Sequence, residues 1–325
     1  AGTGFYDITT NASNVAASVD AIPAWRTRAA TASERVSVNF GQNPSFGGEL
    51  TAGTFTDDSG KGLFKYAPPT GFLALCEDNL PTPTIADPGK HFKTVLYEGD
   101  GNSGRSITGV GFKPDLVWLK SRTNNASHRL SDSVRGVNKQ LMSNTTEIEA
   151  TFTTMLTSFD SDGFALGDNA GINGSGYTNV AWCWKAGGAA VSNTDGSITT
   201  QVSANQTAGL SIVSYDGSGN VNDTVGHSLG KTPSFIILKA RTQAYFWRVY
   251  HSHFGTSPTE GLYLNSTVIS AVHDEHGGIA SVTPTTFGFG TDGTNTLTGV
   301  NKSGDTYIAY CWTEIEGYSK FGSYV

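Results

Sequence analysis

Charge is scarce in this chain, and cysteine scarcer. Of 325 residues, 15% are Asp, Glu, Lys or Arg, and three are Cys. So low a charge, with 40 Gly and abundant Thr, Ser and Asn, argues against long amphipathic helices, which want more Glu, Lys and Leu. No strong 3.6-residue apolar period runs beyond about three turns. No apolar run approaches the roughly 20 residues that span a bilayer. The opening AGTGFYDITTNAS has neither the basic nor the apolar region of a signal peptide. The net charge of −7, from 21 basic and 28 acidic residues, offers no basic face for phosphates and disfavours a general nucleic-acid binder. Three Cys, at 76, 183 and 311, cannot all pair within the chain and are spaced unlike a disulfide framework. They read as small buried apolar residues. Asn-x-Ser/Thr triplets at Asn125, Asn144 and Asn265 are the chance product of so much Thr and Asn.

What is present is a duplication. Tyr97, Gly99 and Gly101 match Tyr215, Gly217 and Gly219 at a shift of 118. Pro114, Lys120, Arg122, Arg129 and Gly136 match Pro233, Lys239, Arg241, Arg248 and Gly255 at 119. Leu141 and Asn144 match Leu262 and Asn265 at 121, and Phe164 and Gly167 match Phe287 and Gly290 at 123. Asn173, Gly176, Ala181, Cys183 and Trp184 match Asn301, Gly304, Ala309, Cys311 and Trp312 at 128. The shift only grows, as insertions in loops between fixed strands would make it. Repeat A then occupies 92–188 and repeat B 209–317, joined by a polar linker, 189–208, in which SITTQVS alternates well enough for a short strand. Residues 318–325 resemble the opening of a further copy, with Tyr324 in the place of Tyr97 and Tyr215, so the parent chain is expected to be longer.

The strands expected in each repeat are an opening one (KTVLY, LSIVSY), a near-continuous apolar one (PDLVWLKSR, PSFIILKAR), a Gly-rich one (GFALG, FGFG) and a closing one (NVAWCWK, YIAYCWT). In the closing strand, alternation sets Trp182 and Trp184 on one face and Ala181 and Cys183 on the other, with Tyr310, Trp312, Ala309 and Cys311 repeating the arrangement. The architecture expected is all-β, with tandem β-sandwich repeats of a lectin or jelly-roll kind. The first 91 residues read as a small irregular segment, with a helix candidate over 11–30 broken at Pro23 and a strand starting near Val36.

Few residues invite a chemical reading. Asp160, Asp162 and Asp168 crowd oxygen ligands around Gly as calcium loops do, but lack the calcium-hand spacing and its closing Glu; the plain alternative is a polar turn. His251 and His253 share a strand face, as a metal pair at an oligomer axis would, or as surface histidines do. Tyr245, Phe246, Trp247 and Tyr250 cluster in repeat B alone; exposed, they would anchor a partner or stack on sugars, and buried, they are core. The cations common to both repeats read as fold devices, paired for example with Asp115 or Asp132. No phosphate loop and no zinc-ligand cluster occurs. A non-enzymatic chain without cofactor is therefore expected.

At the level of phrases the chain resembles a known type. VSVNFGQNPSF with YAPPTGFLALCEDNLPTPTI looks like the end of the SPRY-like, lectin-type sandwich in tail-fibre and other virion proteins of marine bacteriophages, cyanophages included. GVGFKPDLVWLKSR, DSVRG, AWCWKAGG, VGHSLGKTPSFIILKAR and YCWTEIEGYSKFGSYV look like the repeated module that follows it there. The resemblance covers 36–325; residues 1–35 do not look like a full SPRY-like domain. It implies a virion structural protein in a fibre or appendage, homotrimeric, meeting other virion proteins and a host surface glycan. A secreted carbohydrate-binding module of a larger protein is the competing expectation.

Overall fold

The computed structural model describes residues 39–46, 48, 50–80, 82–255, 262–267, 277–291 and 297–323. The helix expected over 11–30, the start of the strand near Val36 and the third-copy Tyr324 lie outside the described residues. The chain divides into two compact units, 1–81 and 82–325. The described part of the first is irregular, with one β-bridge between Phe55 and Phe64 and a single 3-10 turn at Glu77–Asn79. Asp57 organises it. Its carboxylate accepts the backbone N–H groups of Ser59, Lys61 and Ala74 and the side-chain amide of Asn79.

The second unit is all-β, and both repeats are built alike. Repeat A has β1 (Phe92–Glu98), β2 (Arg105–Ile107), β3 (Leu116–Ser121), β4 (Arg129–Asp132), β5 (Lys139–Gln140), β6 (Ala150–Thr151), β7 (Leu156–Asp160), β8 (Gly163–Leu166) and β9 (Thr178–Trp184). The segment read as a linker carries β10 (Val191–Asn193) and β11 (Thr200–Asn205). Repeat B has β12 (Leu210–Asp216), β13 (Thr224–Gly226), β14 (Phe235–Ala240), β15 (Arg248–His251), β16 (Leu262–Tyr263), β17 (Gly278–Val282), β18 (Thr286–Gly290) and β19 (Thr306–Trp312).

One sheet of repeat A runs β1-β9-β3-β4 and the other β2-β8-β7; repeat B answers with β12-β19-β14-β15 and β13-β18-β17. Register agrees too. Phe92 faces Trp184 where Leu210 faces Trp312, and a β-bulge falls between Leu156 and Ser158 in one copy and between Ile279 and Ser281 in the other. A bulge kept at the same place is a designed bend. β10 and β11 extend the larger sheet of repeat B to seven strands, so 189–208 is sheet edge for much of its length.

The residues common to both copies are the pins of this sandwich. Tyr97 Oη donates to the carbonyl of Ile172, and Tyr215 Oη to that of Val300. Asn173 and Asn301 each accept a backbone N–H from the turn after the opening strand, at Asp100 and Ser218, and return their amide N–H groups to that turn. The turn needs its glycines: Gly101 and Gly219 sit at φ 75° and 86°, and a Cβ on Gly99 or Gly217 would lie within 2.2 Å of a carbonyl oxygen. Lys120 and Lys239 each donate Nζ to two carbonyls at the end of their own strand, Ser121 and Asn124 in one, Ala240 and Gln243 in the other. Asn144 accepts the N–H of His128 as Asn265 accepts that of Trp247. The ion pairs expected of the shared cations take a different form. Asp132 pairs with Arg135, while Asp115 accepts the hydroxyl of Ser133 and the N–H groups of Ala186 and Gly188.

Each sandwich encloses a core, with Ala181 and Cys183 in one and Ala309 and Cys311 in the other. A third core lies between the repeats. The outer faces of the two larger sheets pack on each other through Leu116, Leu130, Leu141, Ile237, Trp247 and Tyr310, with Trp184 and Trp312 partly buried against them. The aromatic face of each closing strand, legible from alternation, is thus the face that joins the copies. The repeats form one body rather than two beads.

Candidate functional site

An ionic cluster is sealed into this seam. Arg135, its side chain without solvent contact, donates Nε to Asp132 at 2.6 Å and reaches Glu149 at 3.2 Å. Its remaining N–H groups meet the Leu130 carbonyl and the hydroxyl of Tyr310, 3.0 and 3.1 Å away. Tyr310 donates in turn to Asp132 at 2.7 Å. Arg241, from repeat B, grips Glu149 of repeat A with two hydrogen bonds, 2.9 and 3.0 Å long. Burial works against charge on Arg135, but Asp132, Tyr310 and Glu149 more than offset it and hold the guanidinium above its ordinary value. Burial pushes Glu149 up, while Arg241 and Arg135 pull it further down, to below the usual carboxylate range. The cluster binds one repeat to the other.

The residues singled out from sequence scatter. Trp247 is fully buried in the seam, its indole N–H donating to the carbonyl of Met142 in the other repeat. That removes it from any surface patch. Tyr245 and Tyr250 pack on the core of repeat B, and Phe246 lies 4.9 Å from the ring of Tyr263. Asp162 accepts the backbone N–H groups of Gly109 and Gly111, which hold its carboxyl below the ordinary value and close a loop. His251 and His253 stand edge to face at 6.5 Å, and His251 Nδ1 accepts the backbone N–H of His253. Among the described residues no three of His, Cys, Asp and Glu gather as a metal site, and Asp160 and Asp168 join no such group. Cys183 and Cys311 are fully buried, and burial pushes both thiols up, Cys183 to about 12. Neither meets the conditions of a reactive thiolate.

The concave feature that alternation did not reveal is where the seam opens to the surface. Strand ends converge there: Trp184 closes β9, Trp312 closes β19, Phe92 opens β1 and Phe235 opens β14. Equivalent residues of the two copies meet, Trp184 and Trp312 lying 6.4 Å apart edge to face. Phe92 leans on Trp184 at 5.0 Å and Phe235 on Trp312 at 5.8 Å. The segment after repeat B returns across one end and stacks Phe321 on Phe235 at 5.4 Å, with Tyr318 edge to face with His91. The result is a cleft of about 460 Å³, within the usual size of small-ligand sites. Lys185, Lys320 and His91 complete its lining, and no carboxylate is among its lining residues. Burial, with Lys185 nearby, holds His91 below its ordinary value. A neutral ring that takes the Asn205 amide N–H at Nδ1 carries its proton on Nε2.

The signal in the sequence was the repeated Cys-Trp dipeptide at the strand ends; what it lacked was the back-to-back docking that brings the two indoles together. No curated protein and no solved structure matches the chain. Residues 87–325 match a family described as a domain of unknown function, DUF7483. Both repeats, the seam and the cleft lie inside that match, and the chain belongs to the DUF7483 family.

Proposed function

We propose that the chain is a structural component of a bacteriophage virion, part of a fibre or appendage that serves particle architecture or host attachment. The observation that carries this reading is the fusion of two sandwiches through a buried, ion-paired seam. A module stiffened in this way suits a particle that must keep its shape outside a cell without disulfides. The phrases resembling phage fibre modules supply the setting. Both interior thiols are sealed. Mass spectrometry of purified particles of the encoding phage, with antibody labelling in the electron microscope, tests the proposal. The chain is expected in the particle on an appendage; particles that lack it contradict the proposal.

Self-association into a homotrimer, in contact with other virion proteins, is the assembly that the resemblance implies. Light scattering at micromolar concentration is expected to return about three times 34.2 kDa, and a stable folded monomer of that mass contradicts it. The aromatic cleft favours a second reading, a carbohydrate-binding module of a larger secreted protein. A catalytic domain in the same polypeptide would favour this alternative, and neighbouring tail or capsid genes the first.

A further inference from the structure

We infer that the cleft at the mouth of the inter-repeat seam binds an acidic saccharide. The sugar ring would pack in the angle between Trp184 and Trp312 and its carboxylate would meet Lys185 and Lys320.

Two independent features of the lining point the same way. Its floor is aromatic: Trp184, Trp312 and Phe92 are only half-buried, so part of their apolar surface stays exposed, while Phe235 is stacked under Phe321. Indole and phenyl faces of this kind pack against the C–H face of a pyranose and leave its hydroxyls in solvent. Its edge is cationic: Lys185 and Lys320 are exposed lining residues and no Asp or Glu lines the cleft, in a chain that carries seven more acidic than basic residues. A negative ligand is the complement of that edge. His91 adds a donor at Nε2 in its neutral form. The adjoining hollow shares Tyr318, Ser319 and Lys320 but is lined by Glu314 and Glu316 as well as Lys231. Those carboxylates would repel an acidic ligand, so the charged end belongs in the cleft, between Lys185 and Lys320. Docking of the copies builds the site from the ends of equivalent strands, and neither repeat possesses it alone.

The inference deepens the attachment reading and rests on it for its biological setting, while binding is measured on the isolated chain. Trigalacturonate is titrated into the full chain, followed by tryptophan fluorescence and calorimetry, with neutral galactotriose and 2-naphthoate as comparison probes. Saturable binding of trigalacturonate is expected, with affinity for galactotriose lower by about tenfold or more, as charge-assisted hydrogen bonds to two lysines imply. Lys185→Gln with Lys320→Gln, both exposed and without a part in the core, is expected to remove that preference while the melting temperature stays put. Trp312→Ala is expected to abolish binding; because it also thins the seam, the lysine pair remains the deciding variant. Equal affinity for the neutral trisaccharide, tighter binding of 2-naphthoate, or an unchanged preference in the double lysine variant each overturns the inference. None of these outcomes bears on whether the chain sits in a virion, which the particle analysis decides.

Discussion

The hydroxyl of Tyr310, in the second repeat, donates to the carboxylate of Asp132 in the first across 2.7 Å, and neither side chain touches solvent. The positions equivalent to these two are Trp182 in repeat A and His251 in repeat B. The contact is therefore made in one direction only. Duplication supplied two like sandwiches, and divergence at such positions made their outer faces complementary.

Tyr310→Phe takes away that donor and leaves Asp132 with Arg135. A cost of about 1–3 kcal/mol is expected from urea denaturation, as for a buried acceptor that loses one partner. Arg135→Met removes the centre of the cluster and leaves the buried Asp132 without its counter-ion, held by Tyr310 and two backbone N–H groups alone, with about 3–5 kcal/mol expected. Equal stability of both variants and the parent would mean that the cluster does not hold the seam.

Trp247→Ala should behave as a core truncation, costing about 3–5 kcal/mol. In the parent the emission of Trp247 should be blue-shifted and shielded from iodide. A neutral effect on stability would return this residue to the surface, where the sequence left it equally free to lie.

The duplication, the strand set and the two faces of each closing strand were legible because spacing and period are local properties. Cys183 and Cys311 could be placed in cores for the same reason. The seam was not legible, because docking of one sheet on another depends on complementarity across some 180 residues, as between Asp132 and Tyr310. Tyr245, Phe246, Trp247 and Tyr250 looked like one cluster on paper. Alternation and the facing repeat send Trp247 into the seam and Tyr250 into the core of its own sandwich. The cleft was hidden for the reason that hid the seam.

Acid should weaken the fold through His227 before it reaches the carboxylates. The ring is fully buried, its Nδ1 accepts the N–H of Leu229, and its Nε2 faces the Thr283 carbonyl. Burial lowers its pKa from 6.5, partly opposed by that carbonyl. The unfolded chain thus binds the proton more readily. The stabilisation is present above 6.5 and is lost as pH falls through the lowered folded value. Glu149 is also depressed, from 4.5, so its share is lost only at lower pH. Urea midpoints measured from pH 7.5 downward should fall in two stages; His227→Gln should make the first shallower, a stage His91 and His128 share, and Glu149→Gln the second, which Asp57, Asp100 and Asp162 share. A first stage as steep in His227→Gln as in the parent would exclude this assignment.

Thiol reagents at pH 8 should label Cys76, which is part-exposed, and spare Cys183 and Cys311 until the protein unfolds. Cys183→Ala is expected to cost about 1–3 kcal/mol, as a small buried truncation does. Rapid labelling of Cys183 or Cys311 in the native protein would overturn their place in the two cores.

Those two thiols also give the most direct test of the claim that the repeats are one body, since one lies in the core of each sandwich. With Cys76 replaced by Ser, the full chain is pulse-labelled across a urea series and the modification of Cys183 and Cys311 is quantified separately by peptide mass spectrometry. Both cysteines should become reactive with one shared midpoint, and Arg135→Met should lower that midpoint for both together. Exposure of one thiol at a urea concentration where the other stays protected in the parent chain would contradict the account, for it would mean that the two sandwiches fold as separate domains.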